Sequence, residues 1–169
     1  ANRPLLNHRS VTLFDMLLAR ALLELAGTVA VLVLLLPLAW LAGYADLPDN
    51  PALVLAATLM MGWFSFAMSM LVMALSHESA LAGRLVHPLL YLSMPLSGAF
   101  FSMEWFSPGL QELLAWVPTV PIFELMRVGL FAGYPAGHAA IGYPLAFTAL
   151  LTLLGLAALR VVRPRIEIN

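Results

Sequence analysis

The sequence predicts an all-α membrane protein: four transmembrane helices with a re-entrant or interfacial helical hairpin on the outer side. Three observations carry that prediction. Hydrophobic residues make up 62% of the 169 positions and charged residues 10%, against about 45–50% and about 25% in soluble domains. The apolar residues gather in stretches long enough to cross a bilayer, and the mean hydropathy is +0.94. Lysine is absent, and seven of the eight arginines fall on one side of the resulting topology. Buried in a soluble fold, this much apolar surface would have no polar shell to cover it, so lipid is the solvent it requires.

The elements follow in chain order. Residues 1–24 form a cytoplasmic segment in which Val11 to Glu24 is amphipathic, with Asp15, Arg20 and Glu24 among leucines. Arg20 and Glu24 stand i, i+4 and can pair near the inner surface. The first span, 25–43, is 19 residues without a charge, about 28 Å as a helix. The second, 52–75, is longer and would tilt. The third, 85–101, contains His87, Pro88 and Pro95 and is expected as a kinked helix whose freed carbonyls find partners nearby. The fourth, 139–159, ends against Arg160, Arg163 and Arg165.

The connection 102–138 is too apolar for a solvated loop. Leu110, Leu113, Leu114 and Val117 share a helical face opposite Gln111 and Glu112; Pro118-Thr119-Val120-Pro121 breaks it; Ile122 to Phe131 resumes an apolar pattern. Each half, about 14–15 Å long, is too short to cross. Arg3, Arg9, Arg20, Arg84 and the last three arginines flank one side of the spans, whereas Asp46, Asp49, Glu104, Glu112 and Glu124 occupy the other with Arg127 alone. The positive-inside rule therefore places both termini in the cytoplasm.

Several chemistries lack their residues. Without cysteine there is no disulfide or thiolate site. There is no G-x-S-x-G elbow, no H-E-x-x-H, and no lysine-bearing phosphate loop, so nucleotide energy must come from a partner. His8, His77, His87 and His138 are scattered over both sides and do not form a metal cluster. The net charge of -1 gives no reason to expect nucleic acid. No cofactor is expected. The start, Ala1-Asn2-Arg3-Pro4, has no signal-peptide core behind it, and the chain reads as the C-terminal portion of a longer one.

Two groups stand out. Glu124 and Arg127, i and i+3, can pair on one helix face, as a self-neutralised anchor for the hairpin or as transport residues. A pure charge pair should tolerate exchange of the two residues better than loss of either. Tyr91, Phe100, Phe101, Trp105 and Phe106 are denser than an interfacial belt needs, and could line a glycan path by stacking on the apolar faces of sugars. Trp40, Tyr44, Trp116, Tyr134 and Tyr143 read as the outer belt.

The pieces together resemble a known family. They are Asn2-Arg-Pro-Leu-Leu-Asn-His-Arg9, the helix Asp15 to Glu24, the run Tyr91-Leu-Ser-Met-Pro-Leu-Ser-Gly-Ala-Phe-Phe101, and Trp116-Val-Pro-Thr-Val-Pro-Ile-Phe-Glu-Leu-Met-Arg127. This order is similar to the permease subunit of ABC-2-type polysaccharide exporters, in the capsular polysaccharide branch. Pro95 to Phe101 matches that branch's run before a periplasmic hairpin, and Pro118 to Arg127 matches its Pro-x-x-x-x-x-Glu-x-x-Arg pattern. The resemblance implies an ABC-2-type transmembrane domain whose first two spans have no counterpart here. It implies a multi-pass bacterial inner-membrane protein without catalysis of its own, a second permease protomer, and a separate nucleotide-binding ATPase subunit. It also implies a lipid-linked capsular polysaccharide as cargo, with periplasmic and outer-membrane export proteins as further partners. A coupling helix that docks on the ATPase falls on about Arg3 to Leu18, with Arg3, Leu5, Leu6, Asn7, His8 and Arg9 at its core. The hairpin Trp105 to Tyr134 would frame the outer end of the glycan path.

Other cargoes stay open on the same architecture: O-antigen, teichoic acid or a drug-like molecule. From other classes come a non-catalytic scaffold and an intramembrane hydrolase, the latter requiring Ser97 to pair with His138 or another base.

Overall fold

The computed structural model describes the backbone of residues 12–166. Six α-helices run in the order α1 (Leu13–Leu41), α2 (Pro51–Glu78), α3 (Ala80–Ser93), α4 (Pro108–Leu114), α5 (Thr119–Leu130) and α6 (Gly142–Ile166), with a 3-10 turn at Met103–Trp105 before α4. No strand occurs among the described residues. Three helices are long and apolar enough to cross a membrane, and α4 with α5, bent by 108°, would make a fourth if counted as one broken span.

Local chemistry sets the helix starts. Thr12 caps α1 in a reciprocal box: its hydroxyl accepts from the Asp15 N–H, and the Asp15 carboxylate accepts from the Thr12 N–H. Asn50 caps α2 by accepting from the Leu53 N–H, with Pro51 in the first position, where no N–H is needed. Ser79 ends α2 and caps α3 at once. The predicted amphipathic segment and first span merge into the single α1, since nothing at their junction interrupts the ladder; Pro37, a turn before the end, is carried within the helix. Arg20 and Glu24 do approach on it, at 3.9 Å, but both are exposed and contribute little. From Leu25 onward helix α1 carries no charge, and α1 buries none of its residues against the rest of the chain, which suits a lipid- or protein-covered span.

Helix α2 is the post on which the others pack, and two neighbours divide it. Helix α6 covers its C-terminal part, where Ala67 and Met70 meet Leu151 and Leu159 and Phe64 lies against Phe147. Gly155 permits this approach, because a Cβ there would sit 2.8 Å from the Met70 Cβ. Helix α5 covers the N-terminal third, where Leu53, Ala57, Met60 and Met61 meet Ile122, Leu125 and Met126. At 28 residues α2 is about 42 Å long. The crossing stretch of α6, 21 residues, is about 32 Å and close to the roughly 30 Å of a bilayer core. Helix α2 is therefore longer than a bilayer core requires. In lipid such helix pairs are held by close van der Waals packing of small residues, which is the role of Ala57, Ala67, Gly129 and Gly155.

The predicted third span is the element that differs. Its helix runs Ala80–Ser93, not 85–101, and at 14 residues is only about 21 Å long. Pro88 is tolerated within it, but Pro95 has no N–H to continue the ladder. The Ser93 and Met94 carbonyls accept instead from the N–H groups of Leu96 and Ser97, closing a turn. The chain still travels the length of α2: Gly83 lies beside Ser76 near the C-terminal end, and Gly98 lies against Val120 in the α5-covered third. A short helix and a non-helical strap, residues 94–102, make the passage together.

The hairpin's break also shifts. It falls at Ala115–Pro118, and Pro121 lies in the first turn of α5, where a missing N–H costs nothing. The Asn50 N–H donates to the Gly129 carbonyl at 2.9 Å and locks the end of α5 to the start of α2. Gly129 is packed so closely that a Cβ would lie 2.9 Å from the Val54 backbone nitrogen.

Gly129→Ala should therefore push α5 off α2 and lower the thermal unfolding midpoint in detergent, by an overpacking cost of about 1–3 kcal/mol. Gly27→Ala, with open space around it, serves as the control and should not lower the midpoint.

Candidate functional site

The site grows from the strap between α3 and α4. A stretch of backbone outside helix or sheet leaves carbonyls and N–H groups without ladder partners, and at membrane depth each must be satisfied by protein or trapped water. Glu124 and Arg127 do this. They lie one turn apart on α5, and Arg127 Nη1 donates to Glu124 Oε1 at 2.9 Å. Arg127 Nη2 donates to the Gly98 carbonyl and, at 3.2 Å, to the Ala99 carbonyl. Glu124 Oε1 accepts from the Met103 N–H at 3.1 Å. One ion pair thus binds α5 to both ends of the strap's last turn.

Glu124 is 1% exposed, so its second oxygen also needs a donor, and Tyr134 Oη supplies it at 2.9 Å. A carboxylate only accepts, and the phenol has one hydrogen. The short contact between Ser102 Oγ and Tyr134 Oη is therefore a serine hydroxyl donating to the phenol oxygen. Burial pushes the Tyr134 hydroxyl above its ordinary pKa of 10.0; the Ser102 donor opposes the rise and the Glu124 carboxylate adds to it. Gln111 closes the turn that follows, its Nε2 donating to the Met103 and Phe106 carbonyls at 3.0 and 2.9 Å. Gly98 fits because its φ of +92 is open to glycine and because a Cβ would meet the Val120 Cα at 2.9 Å.

Beside this network opens a cleft of about 390 Å³, whose lining includes Phe100, Trp105, Glu104, Arg127, Phe131 and Tyr134. That volume falls within the range of small-molecule sites. Of the residues singled out from sequence as a glycan path, Phe100, Phe101 and Trp105 line it. Phe106 stands behind Phe101, ring centroids 5.1 Å apart and edge-on. Tyr91 lies on α3, is exposed, and is not part of the lining. Phe131, Tyr134 and Glu104 join the cleft without having been predicted. The sequence position of Tyr134 suits an interfacial anchor, and its link to Glu124 arises only because the turn after α5 folds back.

Ser97 does not form the arrangement that a hydrolase would need. Its hydroxyl donates to the Met94 carbonyl and accepts from the Ala99 N–H, which is turn geometry. The segment Arg3, Leu5, Leu6, Asn7, His8 and Arg9 lies outside the described residues. Trp116 and Tyr143, expected in the outer belt, stack edge-on at 6.2 Å, with Tyr143 Oη donating to the Trp116 carbonyl. That contact ties the α4–α5 bend to the start of α6.

No protein-family model matches the chain. Curated proteins do. The chain is 29% identical over 160 residues, 95% of its length, to the capsule polysaccharide export inner-membrane protein BexB of Haemophilus influenzae, of which it covers 60%. It is 32% identical over 158 residues to the capsule polysaccharide export inner-membrane protein CtrC of Neisseria meningitidis serogroup A, covering 93% of this chain and 59% of that one. It is 30% identical over 161 residues to the polysialic acid transport protein KpsM of Escherichia coli, covering 95% and 62%. Homology to capsule polysaccharide export inner-membrane proteins thus extends along almost the whole chain, which spans about 60% of their length.

The geometry alters what exchange of the ion pair should do. Glu124 faces donors and Arg127 faces carbonyls, so the double variant Glu124→Arg/Arg127→Glu reverses both sets of bonds. It should be as destabilising as Glu124→Ala, about 3–5 kcal/mol in detergent unfolding, because a buried charge and its neighbours lose their partners. A swap that restores stability would show that charge alone matters there. A pH titration tests Tyr134. A phenol whose folded pKa exceeds its unfolded value adds stability that is complete below about pH 10 and is lost as pH rises through the folded value. Alkaline destabilisation should be weaker in Tyr134→Phe than in wild type.

Proposed function

We propose that this chain is the membrane-spanning part of a permease subunit, of the ABC-2 type, that passes a lipid-linked capsular polysaccharide across the bacterial inner membrane. The observation that carries the reading is similarity over 95% of the chain to BexB and KpsM proteins. The energy comes from ATP hydrolysis on a separate nucleotide-binding subunit, and the permease itself performs no covalent chemistry. A second permease protomer completes the path, and periplasmic and outer-membrane export proteins receive the polymer.

Arginine sidedness supports an orientation with both termini in the cytoplasm. The hairpin then lies on the outer side, where α2 is longer than the bilayer requires. In that frame the strap and its cleft stand at the outer mouth of the path. Phe100 and Trp105, 63% and 73% exposed, present ring faces on which successive sugars can stack without a fixed sequence of units. The hub of Glu124 and Arg127 is the scaffold that holds the strap in shape. It is not a proton relay, because both groups are committed to bonds with the strap and with Tyr134.

On the cytoplasmic side the segment from Arg3 to Leu18 serves as the coupling helix, with Arg3, Leu5, Leu6, Asn7, His8 and Arg9 meeting the ATPase. A detergent pull-down against the ATPase encoded beside this protein tests the reading. Wild type should retain the ATPase, and a variant with Arg3, Leu6 and Arg9 replaced by alanine should lose most of it. Retention by neither would remove the permease reading, and equal retention by both would move the coupling site elsewhere.

A further inference from the structure

We infer that the exposed face of α3 carries the inner stretch of the glycan path, with Arg84 and His87 as receptors for acidic sugar groups. This site rests on the export reading and extends it inward from the cleft. Helix α3 rests on α2 only near its start, where Gly83 lies beside Ser76 and Ala82 and Val86 are partly covered. Every residue from His87 to Leu96 is exposed. Arg84, His87 and Tyr91 stand at i, i+3 and i+7 and so share one side of the helix. All three are exposed, and neither Arg84 nor His87 has an ion-pair or side-chain hydrogen-bond partner among the described residues.

Arg84 lies in the second turn of α3, beside the end of α2 that the proposed orientation puts in the cytoplasm. His87 and Tyr91 follow about 4.5 Å and about 10.5 Å further along the axis. An ionisable side chain at membrane depth faces protein or a water-filled space, not lipid. The strap makes the same demand on separate grounds. Among the described residues, the N–H groups of Phe100 and Phe101 and the carbonyls of Leu96 and Ser97 have no hydrogen-bond partner, and backbone in that state cannot face hydrocarbon. Helix α3 and the strap thus present one wetted surface, from Arg84 at the inner end to Phe100 and Trp105 at the outer cleft. Its side chains select the occupant. Arg84 offers a planar fork that fits a carboxylate, His87 offers a further N–H donor, and Tyr91 adds a ring face for the sugar beside it. Helix α3 contains no acidic residue to compete for them.

The chain has no cysteine of its own, so single cysteines report on this surface in nanodiscs of neutral lipid. Tyr91→Cys should react with a charged, membrane-impermeant thiol reagent, and an oligosialic acid should slow the reaction. Leu34→Cys, on the exposed apolar side of α1, should stay unlabelled. An unreactive Tyr91→Cys, or one that joins a second copy as a disulfide, would put lipid or protein on this face and overturn the inference. By calorimetric titration, Arg84→Gln/His87→Gln should bind the oligosialic acid at least about fivefold more weakly, the loss of one charge contact near 4 Å in water-like surroundings. Binding of maltoheptaose, a neutral probe, should not change. Arg20→Gln, at an exposed arginine on another helix, should weaken neither oligomer. Acidic binding unmoved by the α3 double variant, or weakened as much by Arg20→Gln, would overturn the inference and leave the export reading intact. The export reading itself fails on a different result, the absence of ATPase capture.

Discussion

The ion pair between Glu124 and Arg127 substitutes for a stretch of missing secondary structure. Between Met94 and Met103 the chain is neither helix nor strand, yet it packs against helices of a membrane protein. Backbone in that situation has to borrow its hydrogen bonds. Arg127 donates to two of its carbonyls, Glu124 accepts from the N–H that follows, and the two charges neutralise each other. Buried pairs often do no more than break even against apolar replacements. This one is placed where an apolar replacement would leave three backbone groups and a tyrosine hydroxyl without partners.

From that constraint the rest of the outer end follows. The strap can be non-helical because α5 lies beside it, and α5 can lie there because α2 is long enough to carry two neighbours in succession. Small residues make both packings possible: Ala57 and Gly129 toward α5, Ala67 and Gly155 toward α6. A shorter α2 would leave α5 nothing to pack on, and the cleft between strap and hairpin would have no wall. In the proposed reading function enters at that wall, where exposed rings on a non-helical strap would suit a sliding polymer, because stacking holds each unit weakly and gives no register.

Much of the architecture is legible in residue order because membrane spans obey a local rule. A run of about 20 apolar residues must be a helix in lipid, whatever its neighbours do. The second and last spans were visible on that ground, and so was the division of 102–138 into two short apolar halves. The rule weakens where proline and length conflict. The run 85–101 is apolar enough for a span, but Pro95 ends its helix, and only the presence of α5 makes a shortened helix tolerable. The position of the hairpin bend was displaced for a similar reason: Pro121 looks like a breaker in sequence, whereas the first turn of a helix accepts it.

The sequence by itself determined three of the long helices and the pairing of Glu124 with Arg127, and its apolar composition called for lipid as solvent. All of these depend on composition or on residues within one helical turn. The tertiary structure decided what the pair is for, since Gly98, Ala99, Met103 and Tyr134 come to it from 10 to 29 positions away. It also decided which aromatic residues share a cleft, bringing Phe131 and Tyr134 to Phe100 and Trp105 and leaving Tyr91 outside. No spacing rule reaches across a turn and a non-helical strap. Those contacts exist only once α5 is seated on α2.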